Sequence, residues 1–307
     1  MENYDFGIAW EWEYDRDFIN LVRLECQRQE ISFLSVNPQN FEEISHKVEK
    51  RELSFSTYLD RAGDAWEHFA KMTEKLRGRG TWVLNRIREV VRSRDKATMH
   101  LDFITKGLYV PFSVILSPYE KDPELRVSEL EKLGRPFIIK PANGGGGLGV
   151  VMGAENLWDV IEARKEFRQD KYLLQRKIIP RMLGSQRAWF RSFYVCGKVV
   201  SCWWNDLTHI YDIITPEDRS LYRLNKLKDI TKAIAEVCAL NFFSTEIALD
   251  DVNDRYTVVD YVNEPCDMRF KSLHPDGVPD VEAVEIIQAI LTGVKNHLRV
   301  QKKLIRN

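Results

Sequence analysis

The sequence has no apolar run long enough to cross a bilayer. Its best stretch, Tyr109 to Leu116, is interrupted by Pro111 and falls far short of the roughly 18 residues a span needs. It has no excess of either charge. Forty-five Lys and Arg stand against 46 Asp and Glu, a formal net charge of −1, which argues against holding nucleic acid by bulk positive charge. Cysteine is scarce: Cys26, Cys196, Cys202, Cys238 and Cys266 are scattered, odd in number and without a CxxC pair. They read as buried free thiols in a reducing cytoplasm and argue against a cysteine zinc site. The opening Met-Glu-Asn-Tyr-Asp-Phe lacks the basic region and apolar core of a signal peptide, so a cytoplasmic location is expected. None of the six histidines falls at metal or triad spacing, and there is no internal repeat or low-complexity segment. What remains is a chain of 307 residues, 44% hydrophobic and 30% charged. That balance suits a soluble globular protein rather than a disordered one, and the length suits two domains or three small ones sharing a site.

Strand and helix signals alternate over the first 93 residues. Strands are expected at Phe6 to Trp10, Ile31 to Val36, Leu53 to Leu59 and Thr81 to Leu84. Helices are expected between them, over the stripe Phe18 to Cys26, over Phe41 to Lys50 and over Asp64 to Arg77. This order predicts a parallel sheet with covering helices, hence an α/β fold. The pattern then shifts. Helices are expected at Asp95 to Lys106, about Val127 to Leu133, Glu155 to Phe167 and Val281 to Leu304. Strands are expected at Phe112 to Leu116, Tyr172 to Gln175, Phe242 to Leu249 and Tyr256 to Val262. Trp189 to Val195 and Lys198 to Trp204 read as a hairpin turning at Cys196-Gly197, so the C-terminal part is α+β. Thr215-Pro216-Glu217-Asp218 is a helix-start signal.

The most informative segment is Phe137 to Met152. Gly144, Gly146 and Gly149 satisfy G-x-G-x-x-G, but Val150 and Val151 continue as a strand. A dinucleotide fold needs a helix there, and no Lys-Ser or Lys-Thr follows for a Walker loop. The context is a glycine hairpin. Its main-chain N–H groups can approach a polyphosphate because no Cβ intervenes. Lys140, just before it, adds positive charge. Four consecutive glycines, Gly144, Gly145, Gly146 and Gly147, cost too much chain entropy for an ordinary surface turn.

In this arrangement the chain resembles the ATP-grasp superfamily, most of all the branch containing ribosomal-protein glutamate ligases, glutathione synthetases and D-alanine ligases. The likeness covers about residues 80 to 270. Val83-Leu84-Asn85 with Arg94-Asp95-Lys96 resembles the entry to the ATP domain, and Gly107 to Pro111 the Gly-x-x-x-Pro that follows. Phe137-Ile-Ile-Lys140-Pro141 resembles the second phosphate-lysine motif, and Asn143 to Gly149 the phosphate flap. Gln175-Arg176-Lys177-Ile178 resembles the hinge that contacts adenine through main chain, and Arg191 the arginine near the transferred phosphate. The resemblance implies three parts: an N-terminal α/β domain (1–93), a lid subdomain (94–185) and a C-terminal subdomain with the metal site (186–307). It also implies ATP and Mg2+ (Mn2+ as a substitute) as cofactors, with Lys96 and Lys140 on the phosphates.

Two departures stand out. An acid often lies two residues before the Arg191 position, where this chain has Trp189, and no clear ribose acid follows the hinge, Gln186 being the candidate. The family usually ends a strand with Glu-x-Asn, which puts both side chains on one face. Here the segment is Asp260-Tyr-Val-Asn263, and a regular strand would send the two to opposite faces. A bulge at Tyr261-Val262 would reunite them. Glu246, Asp260 and Asn263 are the expected magnesium ligands, oxygen donors that suit a hard cation. Arg269 is a candidate for a carboxylate or acyl phosphate, with a surface pair to Asp267 as the plainer reading. The acids and aromatics of Trp10 to Asp15 stand where a substrate amine could bind, at the end of the first strand.

The implied activity is ATP-dependent joining of a small-molecule or peptide carboxylate to an amine, or to a thiol, through an acyl phosphate. No nucleic-acid or membrane partner is expected, and a homodimer is an assembly that similar enzymes commonly use. Two alternatives stay open: a small-molecule kinase, since inositol-phosphate kinases resemble this fold, and a nucleotide-binding module without turnover.

Overall fold

A computed structural model of the chain describes residues 2–124 and 130–306, with side chains through Lys303. The first part runs β1 (Glu2–Ala9), α1 (Arg16–Arg28), β2 (Phe33–Val36), α2 (Phe41–Glu49), β3 (Leu53–Asp60), α3 (Glu67–Gly78) and β4 (Trp82–Val83). The strands form a parallel sheet in the order β2-β1-β3-β4. Parallel neighbours need a crossover, and each helix supplies one. Two helices follow, α4 (Ile87–Arg94) and α5 (Lys96–Lys106). Asp95 separates them and caps α5, accepting from the N–H groups of Ala97 and Thr98. Gly107, at φ 82°, closes α5 in the left-handed conformation glycine tolerates.

Next come β5 (Ser113–Leu116), α6 (Leu130–Leu133), β6 (Phe137–Pro141), β7 (Val151–Ala154), α7 (Leu157–Glu166) and β8 (Tyr172–Arg176). They build a four-stranded antiparallel sheet in the order β5-β8-β6-β7, with the glycine hairpin joining β6 to β7. Of the helix expected from Val127, residues 127–129 lie outside the described residues. The last part contains the small hairpin β9 (Met182–Leu183) and β10 (Gln186–Arg187), then β11 (Trp189–Val195), β12 (Lys198–Trp204) and β13 (Tyr211–Ile213). These are followed by α8 (Pro216–Leu221), α9 (Lys226–Cys238), β14 (Phe242–Asp250), β15 (Arg255–Asn263) and α10 (Asp280–Arg306). Thr215 and Asp218 form a capping box at the start of α8, as the sequence signal requires.

The five-stranded antiparallel sheet β13-β12-β11-β14-β15 is covered on both faces. Phe193, Val195 and Val200 share a core with Ile286, Ile287 and Ile290 of α10 and with Phe6 and Ile8 of β1. Phe190, Trp203 and Ile247 share another with Leu227 and Ile234 of α9 and Met99 and Phe103 of α5. The glycine-hairpin sheet has its own core of Leu116, Phe137, Ile139, Val160, Tyr172 and Leu174.

Two polar clasps join the first sheet to the five-stranded one. Asn85 donates to Phe242 O at 2.6 Å and accepts from the N–H groups of Asn241 and Phe242 at 2.9 and 3.0 Å. Arg61 grips Asp15 through Nε and Nη2 at 2.8 and 2.6 Å and donates to Cys266 O at 2.8 Å. Among the described residues, no helix is long and apolar enough to cross a membrane.

Candidate functional site

Antiparallel register places Arg191, Glu246 and Asp260 in one row. Arg191 on β11 stands opposite Glu246 on β14, which stands opposite Asp260 on β15. Directly opposed residues share a face, so residues far apart in sequence meet. The Arg191 guanidinium donates to Glu246 Oε1, and Trp189 Nε1 donates to Oε2 at 3.0 Å. The Arg191 guanidinium also lies over the Trp204 ring, 4.6 Å from its centroid. Its Nε is buried without a hydrogen-bond partner among the described residues. Burial opposes the Arg191 charge, but Tyr211, Glu246 and Asp260 together raise its pKa above the ordinary arginine value.

The bulge expected in Asp260-Tyr-Val-Asn263 is present as a register shift between the pairs Ser244/Asn263 and Glu246/Asp260. Asn263 Nδ2 consequently reaches Asp260 Oδ2 at 3.0 Å. Burial pushes the Asp260 carboxyl up, but Lys140, Lys96 and Arg191, with the Asn263 amide, hold it below the usual carboxylate range. Three cations around one half-buried carboxylate is a concentration of charge that a fold tolerates where oppositely charged groups are paired.

Lys96 and Lys140 bring the glycine hairpin to this row. Lys140, on β6, donates to Val259 O at 3.3 Å. Lys96 opens α5; its N–H donates to Ala142 O at 2.9 Å and its ammonium to Gly144 O. Burial pulls the Lys96 pKa down, with Asp260 opposing the shift. Asn143 is pinned at the hairpin's start by Asp170, through its N–H at 2.8 Å and its Nδ2 at 2.7 Å. Beyond it a Cβ at Gly145, Gly146 or Gly147 would meet nothing within 4 Å, and the last two have φ of 59° and 77°. The loop therefore presents bare main chain to open space, as polyphosphate binding requires.

The segment expected to contact adenine is partly occupied by the sheet itself. Gln175 is paired on both edges of β8, to Ser113 and to Ile138, and its side chain donates to Tyr261 Oη at 2.8 Å. Arg176 N–H donates to Phe112 O, and its guanidinium is tied to the buried Asp250 at 2.5 Å. Lys177 and Ile178 lie beyond the strand, the lysine exposed and the isoleucine buried.

Other sequence candidates have committed partners. Arg269 is held by Asp267 and Asp276, through Nη2 at 2.7 and 2.8 Å, so the plainer reading of an Asp267 pair is the observed one, with a second acid added. Its guanidinium also lies 5.9 Å from the ring centroids of both Trp12 and Tyr14. Asp15 is spent on Arg61. The ribose candidate Gln186 reaches Asp212 at 3.2 Å, and its neighbour Arg187 forks onto Asp206 at 2.5 and 2.8 Å. Sequence reasoning missed the parts played by Asp170 and Trp189. The first carried no motif signal, and the second was visible only as a departure.

Glu246, Asp260 and Asn263 supply two carboxylates and one amide. Among the described residues, no group of three or more His, Cys, Asp or Glu side chains is gathered to hold a metal ion. An all-oxygen set of low ligand count, with one carboxylate kept ionised by its neighbours, fits a magnesium ion that retains waters and shares phosphate oxygens.

No family model matches the chain, and no curated protein matches it by sequence. Solved structures do. D-alanine–D-alanine ligase from Bacillus anthracis, complexed with ATP, superposes with a TM-score of 0.68 at 15% identity, covering 99% of this chain and 99% of that one. The RimK domain ATP-grasp protein from Sphaerobacter thermophilus gives a TM-score of 0.62 at 17% identity, over 93% and 99% of the two chains. The ATP-grasp ligase PsnB, complexed with minimal precursor, Mg and ADP, gives 0.62 at 13% identity, over 95% and 98%. With the parallel sheet, the glycine-hairpin sheet and the five-stranded sheet in this order, and near-complete coverage at both ends of each comparison, the chain has the ATP-grasp fold.

Proposed function

We propose that this protein is an ATP-dependent ligase that joins a carboxylate to an amine, or to a thiol, through an acyl phosphate, with Mg–ATP between the glycine-hairpin sheet and the five-stranded sheet. The observation that carries the reading is the row Arg191–Glu246–Asp260 lying beside Lys96 and Lys140 under a hairpin of bare main chain. Further support comes from similar folds: one relative is a D-alanine–D-alanine ligase complexed with ATP, another a ligase complexed with a precursor peptide. Small-molecule or peptide carboxylates and amines are the proposed substrates.

The roles follow from charge and position. Lys96 and Lys140 hold phosphate oxygens, and the Gly144 to Gly147 main chain covers them from the other side. Lys177 and Ile178, free of the strand ladder, present the main-chain edge for adenine. Glu246, Asp260 and Asn263 hold magnesium, which when bound spreads charge over the phosphate oxygens. A substrate carboxylate oxygen attacks the γ-phosphorus, the bond to the bridging oxygen breaks, and ADP leaves. Arg191, with a buried Nε left to donate, stabilises the transferred group. The amine nitrogen then attacks the acyl carbon, expelling phosphate and losing a proton. Arg269 requires release from Asp267 or Asp276 before it can bind an anion, so its role is confined to orienting substrate beside Trp12 and Tyr14.

The test is a screen for ADP and phosphate release over amino acids, short peptides and polyols. A ligase releases both only when carboxylate and amine are present together. ADP without free phosphate, with the phosphate on a polyol, identifies a kinase instead. Tight Mg-dependent ATP binding with no ADP across the panel identifies a module without turnover.

A further inference from the structure

β15 carries more residues along the cation site than a regular ladder allows. Ser244 stands opposite Asn263 and Glu246 opposite Asp260, so two steps on β14 face three on β15. A second shift lies between Glu246 and Ile247, where Val259 is surplus. A bulge leaves main-chain groups without ladder partners. Here side chains take them: Lys140 donates to Val259 O at 3.3 Å, Thr245 Oγ1 to Asp260 O at 2.9 Å, and Cys266 Sγ to Asn263 O at 3.6 Å.

Tyr261 sits inside this bulge, between two of the proposed ligands. Its side chain is buried in the core shared with α5 and α9, edge-on to Phe103 with ring centroids 5.2 Å apart. Its hydroxyl lies 2.5 Å from His100 Nδ1 and accepts from Gln175 Nε2 at 2.8 Å. Burial pushes His100 down to about 4, which leaves its imidazole neutral near pH 7. With Gln175 donating to the phenol oxygen, the phenolic proton is left for His100 Nδ1. One anchor shares α5 with Lys96, and the other is on β8, the strand paired with the β6 that carries Lys140. His100 lies four residues, about one turn, after Lys96 on α5, and Gln175 pairs with Ile138, two residues before Lys140 on β6.

We propose that Tyr261 is a positioning residue for the cation site: its hydroxyl, clamped between His100 and Gln175, fixes the bulge that sets Asp260 beside Asn263 and ties that bulge to α5, which bears Lys96, and to β8, the sheet neighbour of the strand that bears Lys140. The inference rests on the ligase reading only in taking Asp260 and Asn263 as cation ligands. A purely apolar role for the ring would not need three elements to converge on one hydroxyl.

Mn2+ is the probe, its free concentration read by electron paramagnetic resonance in the presence of a non-hydrolysable ATP analogue, so no turnover is needed. Tyr261→Phe keeps the ring and removes the hydroxyl; it is expected to weaken Mn2+ binding about 10-fold. Gln175→Met, which keeps the size and removes the donor, shifts affinity in the same direction. Phe103→Leu disturbs the ring packing alone; it lowers the melting temperature and leaves Mn2+ affinity unchanged. Wild-type Mn2+ affinity in Tyr261→Phe overturns the proposal, as does an equal loss in Phe103→Leu, which would make the role one of packing. If the wild-type protein binds no Mn2+, the cation reading falls and this proposal with it. Wild-type binding with an unaffected Tyr261→Phe removes this proposal alone.

Discussion

Arg191 on β11 and Glu246 on β14 face each other across the sheet, and the guanidinium donates straight to the carboxylate. Each side chain is only 13% exposed, so the pair is largely out of water. A desolvated pair is costly to break from one side, because the remaining charge has neither partner nor solvent.

Arg191→Met is therefore expected to cost about 3 kcal/mol in urea unfolding, and Arg191→Met with Glu246→Leu to recover much of that loss. Both variants should fail to bind Mg–ATP productively. A cost under about 1 kcal/mol for the single change would mean the pair is screened like a surface contact.

Lys96 and Lys140 flank Asp260 from two different elements. Lys140→Ala and Lys96→Ala should each weaken ATP binding at least about 10-fold, the effect of one charge-assisted phosphate contact. The rise in melting temperature on adding ATP should shrink accordingly. Isothermal titration reads the first effect and thermal melting the second. Unchanged values in both would remove the nucleotide site from this position.

The glycines of the hairpin are not equivalent. Gly149 has φ 71°, and a Cβ there would sit 2.6 Å from Phe167 Cε2, whereas a Cβ at Gly145 meets nothing within 4 Å. Gly149→Ala should destabilise the hairpin by about 1–2 kcal/mol through left-handed strain and the Phe167 clash. Gly145→Ala should leave stability unaltered. Hydrogen exchange over residues 143–154 separates the two, and equal protection in both variants would contradict the assignment.

Glu282, in the first turn of α10, is buried, and burial with Glu285 beside it pushes its carboxyl up to about 7, against Arg219 and Lys198. The unfolded group titrates near 4.3. Between the two values the folded state keeps a proton that the unfolded state has lost, so stability falls as pH rises through that window. Glu282→Gln should flatten this decline and raise stability at pH 8 by about 1–2 kcal/mol. An identical pH slope in variant and wild type would rule it out.

The alternation of β1 to β4 with α1 to α3 was legible because each element carries its own apolar period. α4 was not. It is short and basic, with only Ser93 of its eight residues fully buried, and so offers no stripe to read. The signal at Thr215 marked a helix start correctly but not its end at Leu221, where α8 gives way to a separate α9. Lys140, the glycine hairpin and Asn263 stand in recognisable local strings. The partners of Arg269, Arg187 and Asp15 do not, since Asp276, Asp206 and Arg61 reach them through loop and strand geometry that no spacing encodes.

The sequence by itself determined the order of elements, the bare hairpin and the identities of the charges, because propensity, periodicity and glycine content act over a few neighbouring residues. Tertiary structure alone decided which charges meet. Register across β11, β14 and β15 aligned Arg191, Glu246 and Asp260, and the bulge at Tyr261 turned Asp260 toward Asn263. One residue of slip inverts the face a side chain occupies, and at that slip the Tyr261 hydroxyl meets His100 and Gln175 from distant elements.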